Sequence, residues 1–229
     1  MENLQRPGFH MNLDLNTQSV DVSLVVLDRM ARMHAAFWNT PVVDELQRLD
    51  TDTGPFVRAR WDRFYRKNIF LTNHEMERFR NLVDKYDETR DHLHRGVLTL
   101  CHGDIKSPNI FYEEKGGSFE PWFIDWQYVS HGKGVQDLVF FMVESFHTQN
   151  IQRYFSLFQH YYYHKLMEHG VTEYPWRHYE QDFRKAAGYF PLLVAIWFGS
   201  CSNEDLIDKD FPVEFIRKYN AFLDKCGIE

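Results

Sequence analysis

Two spacings of apolar residues divide this chain. Val20, Leu24, Leu27, Met30, Ala31, His34 and Ala35 return every three or four positions down to Trp38, the stripe of an amphipathic helix, with Thr17 or Ser19 placed to cap it. Residues 1–16 hold Pro7, Gly8 and several Asn and Asp with no sustained period, which predicts a loop or short extended piece. Pro41 restarts a shorter helix through about residue 49. After the Gly54-Pro55 break, residues 56–70 and 74–94 predict two helices with Arg, Glu and Asp on their outer faces. Residues 97–100 form a short β-type run, and 109–112 with 119–124 predict a hairpin around residues 113–118. Helical spacing returns from Val135, over residues 137–143, 149–168, 179–198 and about 212–225, with Pro191 kinking or dividing the third. The order is helices, one small β excursion, then helices. It predicts an α+β, mainly helical unit with a β-lined rim.

Composition narrows the class. At 229 residues, 44% hydrophobic and 17% aromatic, the chain has enough apolar material for one packed core, and it contains no repeat or long linker. A formal net charge of -7 with no dense basic run argues against a nucleic-acid partner, which would require a basic face. Cys101, Cys201 and Cys226 lie far apart with no CxxC pair, so neither a disulfide framework nor a four-cysteine zinc site is suggested and a reducing compartment is expected. The N-terminus has no apolar leader, and residues 189–198, the most apolar later window, are too short to span a bilayer. A soluble, cytoplasmic protein with no membrane partner is therefore expected. The twelve histidines mostly stand singly among aromatic or charged neighbours, so no metal site is built from them.

The β excursion carries the chemistry. Leu100-Cys-His-Gly-Asp-Ile-Lys-Ser-Pro-Asn-Ile110 is followed by Trp122-Phe-Ile-Asp-Trp126, which sets Asp104, Asn109 and Asp125 at the spacing of a phosphotransferase loop. An Asp on a tight loop after a strand can take the proton of an acceptor hydroxyl, although Asp104 alone could equally cap a turn before Pro108. Asn109 and Asp125 offer hard oxygen ligands, and Asp125 ends an apolar strand, a costly place for a charge unless a metal or donor awaits it. The three together point to phosphoryl transfer more strongly than any one of them. Lys106, two positions past the Asp, could offset charge on a transferring phosphoryl group or be an ordinary solvated lysine. His102 lacks a nearby His or Cys at ligand spacing and is expected to order the loop through hydrogen bonds. Asp137 heads the helix beginning near Leu138, where it would serve as N-cap or as an anchor for the loop backbone.

His102-Gly-Asp-x4-Asn109, Phe123-Ile-Asp-Trp-Gln127 and Gly134-x2-Asp-Leu138 resemble the aminoglycoside phosphotransferase and choline kinase-like superfamily, and most nearly its ecdysteroid kinase-like (CHK kinase-like) branch. Leu27-Asp-Arg-Met-Ala-Arg-Met-His-Ala-Ala-Phe-Trp38 is similar to the helix that opens the larger lobe of that family. The resemblance runs to about Val143 and fades in the last third. It implies a protein kinase-like larger (C-terminal) lobe in which Asp104 is the catalytic base, Asn109 and Asp125 hold Mg²⁺, and ATP is the phosphoryl donor to a small-molecule hydroxyl. Lys106 departs from the small-molecule kinases and looks more like the Asp-x-Lys of protein kinases; it would contact the phosphates beside the base.

Kinases of this kind carry an N-terminal lobe with a glycine-rich strand pair, a strand lysine and a helix glutamate, none of which can be placed in this sequence. Residues 1–16 resemble the hinge and linker after that lobe, leaving 17–229 as the larger lobe, so a missing N-terminal lobe is an expected partner and activity of the chain alone is expected to be poor. Two other readings remain: a non-catalytic kinase-fold binding or interaction module, and a metal-dependent hydrolase built on His102 and Asp104. Acceptor selectivity is expected in the helical inserts, residues 56–95 and 149–198.

Overall fold

The structure, a computed structural model, describes residues 8–45, 53–67 and 70–229. Its elements are β1 (Phe9–Met11), α1 (Val20–Ala36), α2 (Thr53–Lys67), α3 (Asn73–Asp84), α4 (Tyr86–Leu93), β2 (Thr99–Cys101), β3 (Ile110–Lys115), β4 (Ser118–Phe123), β5 (Ser130–Gly132), α5 (Val135–Ser145), α6 (Thr148–Glu168), α7 (Trp176–Ala187), α8 (Phe190–Ser200) and α9 (Phe211–Lys225).

The core forms around α5. Ten of its eleven residues are buried, and a helix apolar on all sides belongs in the centre of a bundle. α6, α7, α8 and α9 pack around it, while α1 lies against α6 and α2 against α8. Val22, Val26, Met30 and His34 form the buried stripe of α1, at the spacing its sequence shows.

The strands form two antiparallel sheets, β1-β3-β4 and β2-β5. In the first, Met11 pairs with Phe111 and Phe111 with Trp122, which puts the three on one face in a cross-strand row. The sequence suggested a six-residue connection between the hairpin strands. The structure closes it in two residues, because Gly116 and Gly117 both take positive φ, 57° and 81°, the geometry of a tight primed turn that matches strand twist.

Several boundaries differ from expectation. The segment at 74–94 divides at Lys85 into α3 and α4, and α3 starts on a capping box in which the Glu75 N–H donates to the Thr72 hydroxyl at 3.2 Å and the Thr72 N–H donates to the Glu75 carboxylate at 2.6 Å. The segment expected at 179–198 is divided rather than kinked: α7 ends at Ala187 and α8 begins at Phe190, with Pro191 in its first turn, where a missing N–H costs nothing. Pro41–Glu45 is a single 3₁₀ stretch, and the rest of the short helix expected there lies outside the described residues, as do residues 1–7 of the expected linker. Among the described residues, no helix is long and apolar enough to cross a membrane.

Candidate active site

β2 delivers the chain into a loop that turns at Gly103. With φ at +85°, this residue occupies the left-handed region, and a Cβ there would come within 2.8 Å of the Tyr128 Cβ. The loop backbone is then fastened from below. Asp137 Oδ2 accepts the His102 N–H at 2.7 Å, and Oδ1 accepts the Gly103 N–H at 2.9 Å. Asp137 is therefore not an N-cap; Gly134 holds that position, and the side chain of Asp137 anchors the loop instead.

Asp137 is buried, 1% exposed, and needs a counter-charge or donors. His34 of α1 supplies one, its Nε2 3.1 Å from Oδ2, while the Tyr162 hydroxyl of α6 reaches His34 Nδ1 at 2.6 Å. Burial alone would raise the Asp137 carboxyl, but the His34 bond and the Gly103 N–H outweigh it and hold the group below the ordinary carboxylate value. The sequence marks His34 only as one apolar-stripe position. Its link to Asp137 crosses 103 residues, a distance no periodicity spans.

Asp104 points into the site from the turn. It is 4% exposed, and two groups face it: Asn109 Nδ2 donates to its carbonyl at 3.0 Å and to Oδ2 at 2.9 Å, and Lys106 Nζ lies 3.1 Å from Oδ2. Burial raises the Asp104 carboxyl above its ordinary value, and the Lys106 ammonium and the Asn109 amide pull against that rise. His102 is buried within the loop. It receives the Asp104 N–H on Nδ1 at 3.2 Å, donates from Nε2 to the Ile124 carbonyl at 2.9 Å, and lies 4.4 Å from the Trp126 ring.

The same bonds gather the other two oxygen ligands. The Ile124 N–H donates to the Asn109 carbonyl at 3.1 Å, extending the pairing of Ile110 with Phe123, so Asn109 and Asp125 flank one end of the β3–β4 hairpin. Asp125 is exposed and adopts a left-handed backbone, φ 63° and ψ 61°, which Asp tolerates better than most residues. Because Asn109 spends Nδ2 on Asp104, its amide oxygen is left for another partner. An amide oxygen and an exposed carboxylate are the donor types a hard divalent cation takes. Among the described residues, no group of three or more His, Cys, Asp and Glu could hold a metal ion. Any metal in this loop would rest on the Asn–Asp pair.

A cleft of about 530 Å³ opens from Asp104 and Lys106 toward α8. Phe140, Phe190, Leu193, Trp197 and Phe211 give it apolar walls, and Glu144 enters it from α5. Only the α8 wall falls within residues 149–198, where acceptor selectivity was expected; α5 and residues 205–211 contribute from outside both inserts. Glu144 went unnoticed in the sequence. Its signal is there, a lone carboxylate after the apolar run Leu138–Val143 and two helical turns beyond Asp137.

The model of the ecdysteroid kinase-like family matches residues 51–171, more than half of the sequence and the part that contains the loop and hairpin just described. This chain belongs to the ecdysteroid kinase-like family. Among solved structures, it is similar to a choline/ethanolamine kinase family protein from Mesorhizobium loti, with 16% identity and a TM-score of 0.58 over 97% of this chain and 70% of that one. It is also similar to a choline kinase from Streptococcus pneumoniae, at 13% identity and a TM-score of 0.54, covering 98% and 69% of the two chains. An ethanolamine kinase from Plasmodium vivax matches at 11% identity and a TM-score of 0.55, over 95% of this chain and 61% of that one. No curated protein matches the sequence. At these identities the structural likeness establishes fold, and this ecdysteroid kinase-like chain has the mainly helical α+β architecture of the kinase-like larger lobe. Family and fold together support a phosphotransferase function.

Proposed function

We propose that residues 17–229 form the catalytic lobe of an ATP- and Mg²⁺-dependent phosphotransferase that acts in the cytoplasm on a hydroxyl of a small molecule. One observation carries this reading: the Asp104 carboxylate, held by Asn109 and Lys106, stands at the mouth of an apolar cleft. A base in that place receives the proton of an acceptor hydroxyl. The alcohol oxygen then forms its bond to the γ-phosphorus as the bond to the leaving ADP breaks.

Each loop residue has a part in that step. Asn109 Oδ1 and the Asp125 carboxylate hold Mg²⁺, which when bound neutralises charge on the triphosphate. Lys106 balances the phosphoryl group beside the base. His102 and Asp137 keep the loop in shape, and the row Met11, Phe111 and Trp122 gives the adenine ring an apolar platform, since Met11 and Trp122 are exposed there. A second lobe carrying glycine-rich strands and a lysine completes the phosphate grip from the other side of the nucleotide. The chain spans 61% to 70% of the length of the three solved proteins above.

The test is Mg²⁺-dependent ATP binding by calorimetry, followed by phosphoryl transfer to a panel of alcohols, for the wild type and Asp104→Asn. Nucleotide binding retained by the variant, with transfer lost, supports the assignment. Equal transfer by both proteins removes Asp104 from the chemistry, and an absence of Mg²⁺-dependent binding favours the non-catalytic module. Turnover by this chain alone at an ordinary kinase rate would overturn the need for a second lobe.

A further inference from the structure

α2 carries five cations, Arg58, Arg60, Arg63, Arg66 and Lys67, against one carboxylate, Asp62, in a chain whose net charge is -7. Phe56, Arg60, Arg63 and Lys67 recur at three- and four-residue spacing and so form one row along the helix. That row follows the end of α8 and the loop after it. Phe56 packs edge-on against Trp197 with ring centroids 5.3 Å apart, Arg60 Nη1 donates to the Ser200 hydroxyl at 3.2 Å, and Lys67 Nζ donates to the Cys201 carbonyl. The loop, residues 202–210, has the opposite sign: Glu204, Asp205, Asp208 and Asp210 are all exposed, with Lys209 the one cation among them.

The two charge sets stand beside each other without pairing. Among the described residues, no ion pair joins the loop to α2, and Arg63 and Arg66 have no hydrogen-bond or ion-pair partner. The Asp205 carboxyl is held below its ordinary value first by its hydrogen bonds with Ser202 and then by the charges of Arg63 and Arg60, which places the loop within their field. Asp208 Oδ1 accepts the N–H groups of Asp210 and Phe211 at 2.9 and 3.3 Å. The same stretch exposes apolar surface: Ile207 stands wholly in solvent and Trp197 is 42% exposed, at the border of the cleft. A membrane or nucleic acid, carrying one sign, would meet the carboxylates as well as the arginines. A fitting partner presents both signs.

We propose that this face binds the same face of a second copy of the chain, α2 of each protomer lying against the 202–210 loop of the other about a two-fold axis. A basic row beside an acidic loop becomes complementary to itself on rotation by half a turn, which is the condition for an isologous contact. Arg63 and Arg66 of each protomer meet carboxylates of the other's loop, Glu204 and Asp210 among them, and the planar guanidinium suits that pairing. Ile207 and Trp197 supply the apolar part of the contact, which excludes water from the charge pairs around it. The pairing is independent of the chemistry proposed for the cleft.

Analytical ultracentrifugation of the purified chain tests it. The wild type should be a dimer at low salt, with a Kd that rises about tenfold or more between about 0.05 M and about 0.5 M NaCl as the charge pairs are screened. Arg63→Glu with Arg66→Glu removes the basic limb, and Glu204→Lys with Asp210→Lys removes the acidic one. Each double variant sets like charges against each other and should be monomeric alone. An equimolar mixture of the two should recover a dimer, because every reversed limb then faces its opposite, a rescue that damage to the fold cannot produce. Ile207→Ser should weaken the wild-type dimer about tenfold while leaving its salt dependence in place. A monomeric wild type, a double variant that dimerises as the wild type does, or a mixture that stays monomeric overturns the proposal. A monomeric wild type that instead sediments with phosphatidylserine vesicles assigns the arginines to a lipid surface and likewise overturns it.

Discussion

One nitrogen of Asn109 holds Asp104 twice, donating at 3.0 Å to its backbone carbonyl and at 2.9 Å to its Oδ2. The base is thereby locked in one rotamer, and the amide oxygen of Asn109 is turned to its free side. Asn109→Ala removes both functions. Phosphoryl transfer should fall by about 10²-fold or more, with weaker Mg²⁺ dependence, as measured by initial rates across a Mg²⁺ titration. Unchanged Mg²⁺ dependence would show that the residue acts on Asp104 alone.

Lys106 lowers an Asp104 carboxyl that burial raises. Replacing it with Met removes the lowering, so the carboxyl titrates at a higher pH than in the wild type and the acidic limb of the rate profile moves in the same direction. The check is a pH–rate profile of each protein under saturating nucleotide. A limb that stays in place separates Lys106 from the base.

The raised Asp104 carboxyl also carries a stability cost. Its folded value lies above the unfolded one, so its contribution is fully present at low pH and is lost as the pH rises through the folded value. At neutral pH the ionised group destabilises the fold. Asp104→Asn should therefore melt at a higher temperature than the wild type at neutral pH, with the difference closing in acid, even as transfer is lost by about 10²- to 10⁴-fold. Thermal unfolding across pH decides this.

Asp137 has the opposite sign. Its carboxyl is held below the unfolded value, so its stabilisation is complete above that value and is lost as the pH falls through the folded one, at the acid end of the carboxylate range. Asp137→Asn leaves His34 and one loop N–H with a poorer partner and should cost about 3 kcal/mol in urea unfolding at neutral pH. The variant's stability should also change less with pH in acid than that of the wild type. A loss of activity with unchanged stability would contradict an anchoring role.

Gly103 makes the loop's turn at φ +85°. Gly103→Ala places a Cβ against Tyr128 and costs about 1–2 kcal/mol for the left-handed backbone. Transfer should drop further than stability does, because the shift falls on the residue preceding Asp104. Comparison of urea midpoints with transfer rates tests the split.

The legible part of the site was local. His102, Asp104, Lys106 and Asn109 lie within eight residues, and an apolar strand after them leads to Asp125, so spacing alone could place them on one loop and its hairpin. Helix existence was equally legible, since the stripes of α1 and α6 and the all-apolar run of α5 and α8 carry their periods in the chain. Boundaries were less so. The two-residue turn at Gly116-Gly117 and the break at Lys85 depend on backbone geometry, so apolar spacing alone makes the connection too long and runs α3 and α4 together.

Sequence alone determined which chemistry this protein could attempt: an Asp, an Asn and a second Asp at fixed separations on one β excursion, in a chain apolar enough to bury a core around it. Tertiary structure decided what supports that chemistry and what it could act upon. His34 and Asp137 stand 103 residues apart and meet only because α1 and α5 pack against each other. The cleft joins Phe140 and Glu144 of α5 to Trp197 of α8 and Phe211 of α9 by the same means. Local spacing follows from covalent geometry and can be read along the chain, whereas contacts between distant helices are settled by which apolar faces cover one another.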